Sequence, residues 1–129
     1  MYGSKGPDGT CLYSVGVARS AHILQPFKKL GNPILHTKGL PYSGENTAVT
    51  HDGFGSVGAD YGKFTGPGHC SVITSLDGES QMVYHAWRVH EILGNYPRIL
   101  LVDKVNWDEK TGWPSVYHGY PSDTPQPMP

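Results

Sequence analysis

Apolar and polar residues alternate through much of the chain, and this pattern predicts β-strands rather than helices. A period of two residues sustained over four to eight positions is typical of a half-buried strand. We predict strands over Cys11–Ala18, Cys70–Thr74, Gln81–Trp87, Arg98–Val105 and Ser115–Tyr117. The expected fold class is therefore all-β.

Turn signals separate the predicted strands. Asp77-Gly78, within the turn Leu76–Glu79, lies between two β-prone runs and is the strongest short-range signal for a hairpin. A second turn is predicted at Thr111–Pro114. The run Arg98–Val105 is nearly all apolar, so we expect this strand to be buried on both faces.

Two segments interrupt the strand pattern. Residues 37–65 are rich in Gly, Ser, Asn, Asp and Tyr and poor in aliphatic residues, which predicts a long connection with local structure. The tail, residues 121–129, contains four prolines and is expected to be extended or disordered.

Composition and charge exclude two classes of partner. The chain has 129 residues, of which 17 are glycine and 11 are proline, well above their usual combined share of about 12%. The formal net charge is −1 and no basic run exceeds Lys28-Lys29, so the electrostatic footprint of a nucleic-acid-binding protein is absent. No apolar run approaches the roughly 20 residues that a membrane-spanning helix needs.

The two cysteines leave two alternatives open. Cys11 and Cys70 each lie at a predicted strand start, and a disulfide between neighbouring sheets would require Cα atoms about 4.4 to 6.8 Å apart. The favoured alternative is two buried, reduced thiols that pack as small apolar side chains.

Several short motifs occur in an order that is characteristic of a known family. The downstream motifs are Gly66-Pro67-Gly68-His69-Cys70-Ser71-Val72-Ile73, Val83-Tyr84-His85-Ala86-Trp87, Arg98-Ile99-Leu100-Leu101-Val102-Asp103, Val105-Asn106-Trp107 and Gly112-Trp113-Pro114-Ser115-Val116. The upstream motifs are Tyr13-Ser14-Val15-Gly16-Val17-Ala18-Arg19-Ser20, Pro26-Phe27 and Asn32-Pro33-Ile34-Leu35. Together they resemble the last two blades of the five-bladed β-propeller of glycoside hydrolase family 43. Two residues depart from the family pattern, Gln25 before Pro26 and Cys70 after His69.

The resemblance implies a partial propeller of about two blades. Residues 1–36 would form part of the penultimate blade, residues 37–65 a long inter-blade loop, residues 66–120 the closing blade, and residues 121–129 a proline-rich tail. Two blades without their neighbours would expose apolar flanks, so the resemblance also implies self-association or additional N-terminal blades.

The family hydrolyses arabinan- or xylan-type glycans with inversion, using two carboxyl groups and a third aspartate that tunes the acid. In the family these three residues precede the segment that Tyr13–Ser20 matches, and no residue of this chain matches them. The resemblance therefore implies a C-terminal segment of such a protein that is inactive on its own. The alternative is a non-catalytic glycan-binding or oligomeric structural module built from the same blades. The resemblance also favours an extracellular location for this chain.

The resemblance gives His69 a metal-proximal role. In arabinan-cleaving members the matching histidine approaches a calcium ion that is otherwise ligated largely by water. Calcium prefers six to eight oxygen ligands, so one histidine does not define such a site. The alternative is an imidazole hydrogen-bonded to the backbone at a strand start.

His85 and Trp87 are the candidate glycan-binding residues. They are two residues apart, so in a regular strand they share one face of the sheet. An indole can stack on the C–H face of a sugar while a neighbouring imidazole binds its hydroxyls. The simpler interpretation, which the sequence alone favours, is that both side chains pack in the interface between blades.

Other motifs have weaker interpretations. Two pairs of carboxylates are close in sequence, Asp77 with Glu79 and Asp108 with Glu109. The side chains of neighbouring turn residues point in different directions, whereas the two carboxyl groups of an inverting glycosidase face each other across about 6.5 to 9.5 Å. Both pairs are predicted to be solvated turn residues. The G-x-G-x-x-G pattern at residues 53–58 requires a strand before it and a helix after it to bind phosphate, and a loop-like sequence follows it here.

Overall fold

The computed structural model describes Cys11 and residues 13–39, 60–91 and 96–125 of the chain. These residues form six strands and no α-helix, which confirms the all-β prediction for the part of the chain described. The strands are β1 (Ala18–Arg19), β2 (Lys28–Lys29), β3 (Phe64–Thr74), β4 (Ser80–Arg88), β5 (Ile99–Trp107) and β6 (Pro114–Val116). Most of the predicted connection 37–65, including the G-x-G-x-x-G pattern, lies outside the described residues.

The main sheet has four antiparallel strands in the order β3-β4-β5-β6, so each strand pairs with the next one along the chain. The predicted hairpin is confirmed, because β3 and β4 are joined by a tight turn in which the Gly78 amide donates to the Ser75 carbonyl at 3.0 Å. The turn between β5 and β6 is also confirmed, with the Gly112 amide donating to the Asp108 carbonyl at 2.7 Å. The result is a β-meander.

The predicted strand Cys11–Ala18 is not continuous. Val15 forms an isolated bridge to Leu35, and only Ala18–Arg19 is a regular strand, paired with Lys28–Lys29. The Leu30 amide donates to the Val17 carbonyl, and the next pairing is the bridge between Val15 and Leu35. From the first pairing to the second, one side of the hairpin advances two residues, from Val17 to Val15, and the other advances five, from Leu30 to Leu35. The extra residues form an irregular turn, so the hydrogen-bonded ladder is interrupted.

One face of the main sheet forms the core. Its inward side chains pack against the irregular N-terminal hairpin, and this cluster consists of buried Ile34, Leu35, Met82, Tyr84, Val105 and Val116, with Val15, Val17, Leu30 and Leu101 at its margin. The N-terminal hairpin is therefore held to the sheet by apolar contacts that cover one sheet face only.

The opposite face of the main sheet, here called the outer face, is largely exposed. The register pairs Val83 with Val102 and His85 with Leu100 on this face. Leu100 is 73% exposed, so the prediction that Arg98–Val105 is buried on both faces is wrong. An apolar run is typical of a strand covered from two sides, but the described residues cover only the side that faces the N-terminal hairpin.

Burial corrects one further prediction. Cys11 is buried and Cys70 is exposed, and the two do not form a disulfide, so Cys70 is not a core residue. The start of the tail lies inside the fold, because Pro121 and Ser122 are buried. The Ser122 amide donates to Asp103 Oδ2 at 3.3 Å, which fixes the start of the tail to β5. Residues 126–129 lie outside the described residues.

Candidate functional site

The three candidate site residues are neighbours at one end of the outer face. His69 and His85 stack with ring centroids 5.3 Å apart and an interplanar angle of 27°. Trp87 follows His85 on the same strand and the same face. We call His69, His85, Trp87 and the adjoining Arg98 the outer-face cluster.

The strand register explains why these residues meet. Gly68 pairs with His85 across β3 and β4, so the histidine that follows Gly68 lies beside the His85 ring. The β3 strand has register shifts between Thr65 and Gly68 and between Gly68 and Ser71. His69 lies within this bulged stretch and has a φ of +50°, an uncommon conformation for a residue with a side chain. The bulge therefore orients His69 in a way that a regular strand would not.

Arg98 is a fourth member that the sequence interpretation did not identify. The register of β4 and β5 pairs Ala86 with Ile99, so the residue before Ile99 lies beside Trp87. The guanidinium carbon of Arg98 is 4.1 Å from the centroid of the Trp87 ring. Arg98 Nη1 is also 3.3 Å from His85 Nε2. The signal that could have found Arg98 is its position immediately before an apolar strand.

The proton on His85 can be placed from this contact. A guanidinium can only donate, so His85 Nε2 accepts the bond and the neutral ring carries its proton on Nδ1. The pKa of His85 is lowered by burial, and then by the positive charge of Arg98 and by His69. His85 is therefore a neutral imidazole at pH 7.

The lowered pKa of His85 predicts a pH-dependent stability. The unfolded chain, with a histidine pKa of about 6.5, takes up a proton more readily than the folded chain as the pH falls. We expect the free energy of unfolding, measured by urea denaturation, to decrease from pH 7 to pH 5. His85→Gln should reduce this slope, whereas His22→Gln, at an exposed histidine, should not.

The carboxyl groups with lowered pKa values do not interfere in that pH range. Hydrogen bonds from Lys38, Ser75 and Thr111 lower the pKa of Asp60, Asp77 and Asp108 respectively, so their contributions are lost only near and below pH 4. Equal slopes in the wild-type protein and in His85→Gln would contradict the assignment to His85.

Calcium at His69 stays a prediction. Among the described residues no group of three or more His, Cys, Asp or Glu side chains is positioned to hold a metal ion. The neighbours of His69 in the outer-face cluster are an imidazole and, beyond it, a guanidinium. These groups do not by themselves fit calcium, which prefers oxygen ligands.

The close carboxylate pairs lie in turns, as predicted. Asp108 Oδ1 accepts bonds from the amides of Lys110 and Thr111, and Asp77 Oδ1 accepts one from the Glu79 amide at 3.3 Å. Their oxygens stabilise the two turns of the meander. Neither pair belongs to the outer-face cluster.

A concavity separate from the outer-face cluster lies where the start of β3 meets the end of the described chain. It has a volume of about 110 Å³, and its lining includes Lys38, Tyr61, Lys63, Tyr117 and Tyr120. Lys38 pairs with Asp60, and Lys63 Nζ is 3.9 Å from Asp123 Oδ2. The lysine charges of this concavity are therefore balanced by carboxylates.

Comparison of the chain with models of protein families, with curated proteins and with solved structures finds no match. The resemblance to glycoside hydrolase family 43 therefore stays a prediction from the sequence motifs. Within the described ranges no helix is both long and apolar enough to cross a membrane.

Proposed function

We propose that the chain is a segment of a glycoside hydrolase family 43-like propeller that binds arabinan- or xylan-type glycans through the outer-face cluster. The observation that carries this proposal is the meeting of His69, His85 and Trp87 at one end of the outer face. The topology supports it as well, because a four-stranded antiparallel sheet is the unit of a propeller blade.

The cluster has the chemistry that a sugar requires. His69 and Arg98 are exposed, and their imidazole and guanidinium groups can bind hydroxyls. Trp87 is half-buried behind Arg98 and supplies an apolar surface at the same place. A glycan would contact the polar groups first and the edge of the indole next.

On this proposal the chain binds glycans without hydrolysing them. Hydrolysis with inversion requires two carboxyl groups about 6.5 to 9.5 Å apart across the sugar. No residue of this chain lies in a motif that carries either of these carboxyl groups in the family. The catalytic groups of a complete enzyme would come from the blades that precede these motifs in the family.

The second candidate is an oligomeric, non-catalytic module, which the exposed apolar side chains favour. Ile73 and Leu100 on the outer face are 36% and 73% exposed, and Leu76 in the β3–β4 turn is fully exposed. Such residues suit packing against another blade supplied by a second copy of the chain. Sedimentation velocity distinguishes the two candidates, since only the second requires self-association.

Removal of Trp87 should abolish most of the glycan binding. We expect Trp87→Ala to weaken binding of xylo- and arabino-oligosaccharides by about tenfold or more, which corresponds to about 1.4 kcal/mol. The measurement is an NMR titration of the ¹⁵N-labelled chain with each oligosaccharide.

The matched control is Trp113→Ala. Trp113 also lies under an arginine, with Arg19 Cζ 4.0 Å from its ring centroid, so this variant removes an indole of the same kind elsewhere. His69→Ala provides a second test, because His69 is exposed and its loss should leave the fold intact. Glycan binding that is equal in the wild type, Trp87→Ala and His69→Ala would contradict the proposal.

A further inference from the structure

The charge of Arg98 is not balanced by a carboxylate in the part of the chain that the structure describes. Four other basic side chains form ion pairs: Lys38 with Asp60, Lys63 with Asp123, Arg88 with Glu91 and Lys104 with Glu79. Arg98 instead contacts the Trp87 ring and the neutral His85 imidazole. The outer-face cluster therefore carries a positive charge that an anionic ligand could neutralise.

The guanidinium of Arg98 is also held in place. The Trp87 ring packs against one side of it at 4.1 Å, and the bond to His85 Nε2 occupies a single N–H. A guanidinium has five N–H donors in a planar fork, so four remain to bind a ligand. Because this fork matches a carboxylate with two parallel hydrogen bonds, a fixed arginine favours a carboxylate over a neutral hydroxyl.

The surroundings indicate an acidic sugar rather than a simple anion. His69 is exposed beside His85 and can bind hydroxyls at the same time as Arg98 binds a carboxylate. The edge of Trp87 adds an apolar surface. A sugar ring bearing a carboxylate presents all three chemical features within one residue.

We infer that the outer-face cluster binds carboxylate-bearing sugars, with Arg98 as the residue that binds the carboxylate. This inference rests on the proposed glycan-binding function and adds the substrate class to it. Trp87 acts here by holding the guanidinium plane, and His69 by binding hydroxyls.

The test compares three ligands by NMR titration of the ¹⁵N-labelled chain at pH 7 and low salt. Methyl β-xyloside and methyl β-glucuronide share the same ring and differ by the carboxylate on C5, and acetate supplies the carboxylate alone. We expect the glucuronide to bind at least tenfold more tightly than either of the other two. Its affinity should fall as salt is added, because the contact is exposed and charged.

Arg98→Gln should remove the preference for the glucuronide, so that glucuronide and xyloside bind with similar affinity. Arg98→Lys should restore only part of it, because lysine keeps the charge but lacks the planar fork. The matched control is Arg19→Gln, at the other arginine that lies over an indole. This variant should retain the full preference.

The outcomes separate the inference from the proposed function. Equal binding of xyloside and glucuronide would overturn the inference and leave the proposed function standing. A glucuronide that binds no more tightly than acetate, with no binding of the xyloside, would show a simple anion site and overturn both. A preference that survives Arg98→Gln would assign the carboxylate to another residue and overturn the role of Arg98.

Discussion

Replacement of Gly66 by alanine should destabilise the protein by about 2 to 5 kcal/mol. A Cβ atom at this position would lie 2.7 Å from both Cβ and Sγ of buried Cys11, and 3.3 Å from the Trp87 ring. Overpacking of this kind costs about 1 to 3 kcal/mol. The φ of Gly66 is +62°, and this left-handed conformation costs a residue with a side chain about 1 to 2 kcal/mol more. The melting midpoint should fall by roughly 10 °C.

Gly78→Ala separates the two causes. Gly78 has a φ of +85°, and nothing lies within 4 Å of the Cβ that would be added. This variant should therefore show the backbone cost alone, about 1 to 2 kcal/mol. Urea denaturation of both variants gives the comparison, and a loss in Gly66→Ala no greater than that in Gly78→Ala would contradict the contact with Cys11.

The contact at Gly66 also joins the outer-face cluster to the core. The Gly66 amide donates to Thr37 Oγ1 at 2.9 Å, and Thr37 Oγ1 donates to the Cys11 carbonyl at 2.8 Å. Cys11 N donates in turn to Thr65 Oγ1. This buried network holds the start of β3 against the segment at Cys11, and Trp87 packs beside it. Gly66→Ala should therefore weaken glycan binding as well as stability.

The sequence predicted several strands of the meander and two of its turns, because each of these elements carries a local signal. Alternation in Gln81–Trp87, the Asp77-Gly78 turn and the turn before Pro114 each depend on neighbouring residues only. Burial was harder to predict, because it depends on what packs against a strand. The apolar composition of Arg98–Val105 suggested cover on both faces, yet Leu100 is exposed. Cys70 was misplaced for a related reason: all residues of β3 from His69 to Thr74 are exposed, because the described residues cover neither face of this part of the strand.

The outer-face cluster was only half predictable. His85 and Trp87 share a face because they are two residues apart on one strand, which the sequence shows directly. His69 and Arg98 join them through the register of β3 with β4 and of β4 with β5. Register depends on the bulges in β3 and on the connection between Arg88 and Ile99, and neither is specified by a local pattern.

Tyr84→Phe should destabilise the protein by about 2 to 3 kcal/mol although it removes a single oxygen. The Tyr84 hydroxyl donates to Asp103 Oδ2 at 2.5 Å, and both residues are almost fully buried. Burial, and then the bond to Asp103, raises the pKa of Tyr84 far above its usual range, so the hydroxyl keeps its proton at neutral pH and is the donor in this bond. A hydrogen bond to a charged group contributes about 1.5 to 3 kcal/mol, and its loss leaves the carboxylate short of a donor.

Two comparisons test whether the loss comes from the buried pair. Tyr96 is 58% exposed, so Tyr96→Phe should change the free energy of unfolding by less than about 0.5 kcal/mol. The double variant Tyr84→Phe with Asp103→Leu should lose less than the sum of the two single variants, because it removes the tyrosine hydroxyl and the carboxylate that accepts from it together. Additive losses would show that the two side chains do not stabilise the fold as a pair.

The same substitution should loosen the start of the tail. Asp103 Oδ2 accepts bonds from both the Tyr84 hydroxyl and the Ser122 amide, so it joins β4, β5 and the tail at one buried atom. Without the tyrosine hydroxyl the carboxylate has fewer donors and is free to turn away from Ser122. We expect amide hydrogen exchange at Ser122 to become faster in Tyr84→Phe than the change in global stability alone explains. An exchange rate at Ser122 that follows global unfolding in both proteins would mean that apolar contacts of the buried Pro121, rather than Asp103, hold the tail to the sheet.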